Sequence, residues 1–456
     1  MRQLQSSFSP TLFFAAFLAL FLMPASPPAA AGDVQAASDG QGGLARGDME
    51  AADGPESWHA LAMDLLRGGR GERDKARALE LLAAAAGRGL ADAQFDLGRV
   101  HDFGWAGPPD DALAAHWYRK AADQGLPVAQ FSLGLLYNAG EGVPRDHAQA
   151  AKWFRKASDA GNPYAMVRLA ILLAQGLGLE RDLEMAEGLL SRAAGSGWPG
   201  VLYEIGQIHD RGWGFSPDWA QAVSWYGKSA GLGYAPAMMA IAQGLAKGRS
   251  PGQGLADASA WWELAAERGD KEAQYRLGLY LAKTASDRDG QARALELLEM
   301  AEGQGQAKAA YALGLLLSES EPEKSLAAFK RAAELGHARA QMELAERYQE
   351  GRGLEKDPGL GFSWARKAAD QRIPEAWMLL SRYYRDGLGV ERDLSKSAMW
   401  CRRAADAGLA EGQYGLGLKY EAAEGLDRDP AKAGHWFGKA AEQGHAQAQA
   451  KLRGED

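Results

Sequence analysis

Apolar positions recur along this chain with two periods, one nested inside the other. In residues 129–164, AQFSLGLLYNAGEGVPRDHAQAAKWFRKASDAGNPY, the residues Ala129, Leu133 and Tyr137 fall four apart and share one face of a first helix. Gly140 and Gly142 stop that helix, because glycine takes the left-handed geometry of a helix terminus. Pro144 keeps the connection from continuing as helix, and Asp146 is placed to cap a second one. Ala150, Trp153, Phe154 and Ala157 form the inner stripe of this second helix, which Gly161 ends. The spacing predicts a helix–turn–helix hairpin. The longer period is the return of that hairpin. The unit starts at Ser57 and begins again every 36 residues at Ala93, Ala129, Ala165, Val201, Ala237, Ala273 and Ala309. The next start, Ala340, comes only 31 residues later, and the period of 36 resumes at Ala376, Gly412 and Ala448. One hairpin has too little core to stand alone, so eleven units and a short charged stub predict an all-α solenoid in which each hairpin leans on its neighbours.

Several columns carry the architecture. The fifth position is always Leu or Ile, from Leu61 and Leu97 to Leu380 and Leu416. The sixth is always small, as in Gly98, Gly134, Gly206, Gly314 and Gly417, which predicts a close approach by the backbone of the partner helix. The second helices repeat a tryptophan at positions 117, 153, 225, 261, 364, 400 and 436. Arg119, Lys120, Arg155 and Lys156 alternate with acids around the second helices and read as a solvated outer face.

The unit A-Q-x-x-L-G-x-x-Y…G-x-G-V…D…A…W-x-x-K-A-A-x-x-G resembles the Sel1-like repeat, a relative of the tetratricopeptide repeat, over residues 57–452. The resemblance implies a right-handed superhelix of antiparallel helix pairs that binds other proteins. By the same analogy the third, seventh and tenth positions of the first helix face a concave groove. The expected partner-contacting residues are therefore Phe95, Phe131, Tyr203, Tyr275, Tyr311 and Tyr414 in the third column, with Arg99, Gln207 and Arg382 in the seventh. Aromatic and methionine side chains suit protein recognition. The third column has a second reading, in which its rings pack between neighbouring first helices. The resemblance implies a non-catalytic scaffold or adaptor that regulates or assembles envelope or exopolysaccharide machinery, with an envelope sensor or export component as partner. An exported hydrolase of the β-lactamase repeat type and a secreted host-interaction factor are the alternatives.

Targeting and chemistry narrow this picture. Residues 1–31 read as a signal peptide: Arg2, an uncharged apolar run at residues 12–23, then Ala29, Ala30 and Ala31 as a cleavage pattern. The apolar run is shorter than the ~20 residues of a spanning helix, so no stable span is expected after cleavage, and the expected location is the periplasm or the medium. Residues 32–56 read as a flexible leader and residues 453–456 as a tail. A net charge of −8 argues against nucleic acid as partner. Cys401 is the only cysteine, so no disulfide staples the repeats, and it reads as a small buried hydrophobe. His101 and His209 stand where residue 137 is tyrosine and read as packed imidazoles rather than ligands. The adjacent Asp102 and Asp210 lie on other helix faces. No metal, nucleophile-elbow, S-x-x-K or phosphate-loop signature occurs, and no cofactor is expected. GEGV, GLGL, GWGF and GLGV repeat at one place in successive hairpins, which marks them as turns. The unit from Ala309 lacks five residues between its helices, and Arg372 takes a terminating-glycine position. Drift in the loops and a change of superhelical pitch over residues 280–340 both fit these breaks. The apolar columns run through them, so no domain boundary is drawn there.

Overall fold

The computed structural model describes residues 54–455 apart from 69, 70 and 106. The proposed signal peptide and most of the leader lie outside these residues. Among the described residues the structure is helical throughout, without a strand. The chain forms two compact units, Met1–Ala237 and Met238–Asp456. The first holds α1 (Pro55–Gly68), α2 (Glu72–Gly87), α3 (Ala91–Asp102), α4 (Asp111–Asp123), α5 (Pro127–Ala139) and α6 (His147–Asp159). It continues with α7 (Pro163–Gln175), α8 (Leu183–Ala194), α9 (Pro199–Arg211) and α10 (Trp219–Gly231). Helix α11 (Ala235–Ala246) carries the division between the units. The second unit continues with α12 (Leu255–Ala266), α13 (Lys271–Thr284), α14 (Arg288–Gly303), α15 (Ala307–Leu316), α16 (Pro322–Glu334) and α17 (Ala338–Glu350). It ends with α18 (Pro358–Asp370), α19 (Pro374–Asp386), α20 (Leu394–Asp406), α21 (Ala410–Ala422), α22 (Pro430–Glu442) and α23 (Ala446–Arg453). Odd-numbered helices are the first helices of the hairpins and even-numbered ones the second, as the 36-residue period implies.

The turns are built as the spacing requires. Gly140 ends α5 at φ +81°, and Asp146 Oδ1 accepts from the backbone N–H groups of Ala148 and Gln149 at 2.9 and 3.0 Å. The same aspartate cap recurs at Asp110, Asp182, Asp218, Asp357, Asp393 and Asp429, each relieving an orphan donor of the helix it opens. The arginine before it works on the other helix end. Arg145, Arg181 and Arg392 donate to the carbonyls of Ala139, Ala174 and Arg385, the last turns of α5, α7 and α19. The second glycine of the turn has a longer reach. A β-carbon on Gly142 would lie 2.0 Å from the carbonyl oxygen of Asp111, in the preceding hairpin. Gly178, Gly389 and Gly425 meet the first turns of α6, α18 and α20 in the same way, so these loops tie each hairpin to the one before.

Packing inside a hairpin corrects one expectation. The small sixth column is approached mainly by a ring rather than by backbone. A β-carbon on Gly134 would sit 2.6 Å from the Phe154 ring, and Gly98, Gly206, Gly314 and Gly417 face Tyr118, Tyr226, Phe329 and Phe437 likewise. Those rings, one residue after the tryptophan column, are the buried centre of each hairpin. Cys401 stands in the same column, is fully buried, and burial pushes its thiol up to about 12.

The shortened repeat is carried by a ten-residue α15 and by Pro322 at the start of α16. The apolar core passes through it without a gap, since Leu313 packs with Leu298 and Ala301, and Ala310 with Phe329 and Leu344. The division into compact units falls elsewhere, at Ala237 and Met238. Arg372 keeps the glycine conformation of its column, φ +62°. A side chain there costs about 1–2 kcal/mol in the left-handed region. Arg372→Gly is therefore expected to raise the stability of the second unit by about 1 kcal/mol, read by chemical denaturation, with glycine's larger unfolded-state entropy offsetting part of the gain.

Candidate partner-binding faces of the first helices

The third column is mostly packing. Phe131 is 1% exposed and lies against Phe154 and Tyr164, with ring centroids 5.9 and 6.3 Å away. Phe95 leans on Tyr118 at 5.5 Å, and Tyr203 lies between Tyr226 and Tyr234, 5.5 Å from each. Tyr311 touches Phe329 and stacks on His337 at 4.4 Å, while Tyr414 touches Phe437 and stacks on His445 at 4.6 Å. Tyr275 is half-buried against the cluster around Leu298. Each ring thus joins its own second helix, the start of the next hairpin, or both. Phe131 is closed to a partner, and the other five rings are half-buried.

The seventh column divides. Arg99, expected at the surface, is 6% exposed. Its guanidinium donates to Asp96 at 3.1 Å and lies 5.5 to 5.8 Å from the rings of Phe95, Phe103 and Trp105. Burial lowers its pKa and Asp96 opposes that. Arg99 is therefore a poor surface probe, and its loss would take a buried charge partner from Asp96, whose other ion-pair neighbour among the described residues is His59, 2.8 Å away. Gln207 is half-buried and donates to the Tyr203 hydroxyl at 2.9 Å. Arg382 is exposed, with Glu346 of the preceding first helix 3.3 Å away. Leu279 and Leu315, in the same column, are 37% and 53% exposed. The tenth column turns inward at two places: Asp102 and Asp210 accept from the Tyr118 and Tyr226 hydroxyls at 2.8 and 3.3 Å. That separates them from His101 and His209, whose half-buried rings burial holds below their usual pKa. In the first unit the structure brings Tyr203 and Gln207 together. In the second, Tyr275, Tyr311, Arg382 and Tyr414 sit on the first helices α13, α15, α19 and α21.

Three features escape column reading. Arg168 and Glu204, 36 residues apart in the fourth column, form a buried pair at 3.3 Å, and burial raises the Glu204 carboxyl against the pull of Arg168. Opposite charges one period apart are the signal the sequence offers for it. The glutamine of A-Q is a connector. Gln94, Gln130, Gln274, Gln341 and Gln413 each donate to the last turn of the preceding second helix. Gln124, Gln304, Gln371 and Gln443 then donate to the oxygens of Gln94, Gln274, Gln341 and Gln413. Ser381, Ser397 and Lys419 meet from three helices, with Lys419 Nζ 2.9 Å from Ser397 Oγ. Ser397 has no exposed surface, so this group clasps α19, α20 and α21 and offers no nucleophile to a substrate.

The outer face is also partly committed. Lys120, Lys156, Lys228, Lys367 and Lys439 sit 3.8 to 4.6 Å from the ring centroids of the tryptophans three residues before them, a cation–π cover for each ring's outer side. Arg119 donates to the Tyr137 hydroxyl. Clefts of about 470 and 640 Å³ open at one repeat position in consecutive hairpins. The first is lined by Arg119, Tyr137 and Trp153, the second by Arg155, Leu173, Leu179 and Met185. Neither brings a nucleophile to a base.

Hairpins stacked through a glutamine ladder, an aromatic ladder and glycine loop ties define a tandem helix-hairpin repeat protein. The Sel1 repeat model matches in eleven segments from residue 59 to residue 445, and the chain belongs to the Sel1 repeat family. Among solved structures it is 30% identical to the Escherichia coli protein c5321, described as a protective antigen of uropathogenic strains displaying an SLR fold. That match covers 89% of this chain and 88% of the other at a TM-score of 0.54. A Sel1 repeat protein from Oxalobacter formigenes is 27% identical over 75% of this chain and 90% of its own, at a TM-score of 0.45. The immunity protein Pa5087 from Pseudomonas aeruginosa is 22% identical over 47% of this chain and 81% of its own, at 0.33. No curated protein matches the chain.

Proposed function

We propose that this chain is an exported scaffold whose first-helix faces hold a protein partner in the cell envelope, within exopolysaccharide signalling or export. The observation that carries the binding face is the split in the seventh column. Its neighbours are consumed by packing, whereas Gln243, Leu279, Leu315 and Arg382 stay exposed, and along the array the column changes from amide to leucine to guanidinium. Sel1 and tetratricopeptide-like repeats mediate protein–protein interaction, which supports the class of partner. Export rests on the apolar run at residues 12–23 with the alanines after it.

The test is affinity capture with residues 32–456 as bait, run in parallel on envelope and cytosolic extracts. A saturable partner is expected from the envelope extract. At least one of Arg382→Ala, Gln207→Ala and Leu315→Ser should weaken it by about 1–2 kcal/mol, as truncation of a contributing interface residue does. The melting of Arg382→Ala and Leu315→Ser should stay close to that of the parent, because exposed changes move stability by about 0.5 kcal/mol. Arg155→Ala on the outer face is the control. Loss of binding in that control alone, or a partner found only in the cytosolic extract, would sink the reading.

A further inference from the structure

Each first helix after α1 begins only a few residues after a second helix has ended, and the residue just before it decides how the new helix is capped. Asn162 accepts from the N–H of Ala165 at 3.0 Å, and Asp270 from that of Ala273 at 2.8 Å. Histidine takes the same place twice in the second unit. His337 Nδ1 receives the N–H of Ala340 and His445 Nδ1 that of Ala448, each at 3.3 Å. A backbone N–H can donate to Nδ1 only while that nitrogen keeps its lone pair, so the ring proton of both histidines belongs on Nε2. Asparagine does not titrate and aspartate keeps its acceptor down to low pH, whereas an imidazole loses this acceptor near pH 6.5.

The two histidines share a cap and differ in what surrounds it. His337 stacks on Tyr311 of α15, and the charges that act on it are Lys308 of α15 and Arg339 of α17, both cations. Helix α16 contributes the Ala332 carbonyl, which accepts the His337 N–H at 2.8 Å. The positive end of the α17 dipole adds to the same sign. His445 stacks on Tyr414, and its Nε2 is 3.1 Å from the Glu411 carboxylate of α21, so a proton taken up there keeps an ion pair.

We propose that His337 is an acid-sensitive latch on the hairpin junction between α16 and α17, and that its protonation uncaps α17 and loosens its stacking on α15. Burial first, then Arg339 and Lys308, hold its pKa below the ordinary value. A lowered folded-state pKa means that the opened junction binds the proton more readily than the closed one. The stabilisation is therefore complete above about pH 6.5 and is lost as pH falls through the lower, folded-state value. The latch lies beneath Tyr311, so acid would disturb the first-helix face of the second unit. The latch itself does not depend on what that face binds.

The experiment is hydrogen exchange by mass spectrometry on the full chain at pH 7.5 and pH 5.0, corrected for the intrinsic pH dependence of exchange. Opening of α17 should rise by up to about tenfold per pH unit wherever the opened state holds one more proton. Opening of α7 and α13, capped by Asn162 and Asp270, should not rise, and the acid-to-neutral ratio for α23 should be smaller than for α17. His337→Asn supplies the cap that Asn162 shows to work and should flatten the response of α17. A nuclear magnetic resonance titration of the His337 ring in the parent should give an apparent pKa below about 6.5. An α17 ratio equal to that of α7, an acid response kept by His337→Asn, or a His337 pKa at or above 6.5 overturns the proposal.

Discussion

Replacing Phe154 with alanine is expected to destabilise the first unit by about 3–5 kcal/mol, the range for removing a fully buried phenylalanine. The ring has no exposed surface. It fills the space left by Gly134 on α5 and supports Phe131, so its removal opens a cavity that neither helix can close by a small shift. Trp153→Ala should cost less, although the tryptophan is larger. Its outer side rests under Lys156, 4.1 Å from the ring centroid, where water can take its place. In an array of nearest-neighbour contacts the damage should stay local. Hydrogen exchange should show lost protection in α5 and α6, with α1 and α2 unchanged. Equal costs for Phe154→Ala and Trp153→Ala in denaturant would show that the tryptophan column, not the column after it, centres the hairpin.

Gly142→Ala is expected to cost about 3 kcal/mol, well beyond the effect of an alanine in an ordinary turn. Two effects add. The residue sits at φ +66°, where a β-carbon costs about 1–2 kcal/mol, and that carbon would be driven against the carbonyl of Asp111 at 2.0 Å. Forcing a methyl into a filled space costs typically about 1–3 kcal/mol more. Gly353→Ala separates the two effects. Gly353 holds the same turn position at φ +71°, but nothing lies within 4 Å of the β-carbon it would gain. The preceding hairpin there is the shortened one. Gly353→Ala should cost only the backbone term, and the difference between the two substitutions measures the tie between hairpins. Equal losses of protection around each site, read by hydrogen exchange, would mean that the loop contact contributes nothing.

Both variants test features that are only partly visible in a string of residues. The hairpin, its period, the aspartate caps, the glycine turns and the burial of Cys401 are legible in the amino-acid sequence alone. Each depends on residues within one unit and on geometry that a helix imposes by itself: four-residue spacing, a left-handed terminus, a missing proline N–H. Eleven repetitions in one chain turn weak local preferences into a pattern that chance does not produce.

The sequence leaves open what covers each column. Arg99 and Arg382 occupy one column and read alike, yet Arg99 is buried under Phe103 and Trp105 while Arg382 stands in solvent beside Glu346. The small sixth column announces a close contact without saying whether backbone or ring makes it, because either could fill the space beside Gly134. His337 and His445 are the same residue at the same repeat position, and only their neighbours, Lys308 and Arg339 against Glu411, set them apart. Periodicity in the sequence establishes that positions are equivalent along the chain. Burial, charge environment and exposure are set by side chains that arrive from the next hairpin, from a loop or from a partner helix. Those contacts exist only once the hairpins have stacked, so the tertiary structure alone decides them.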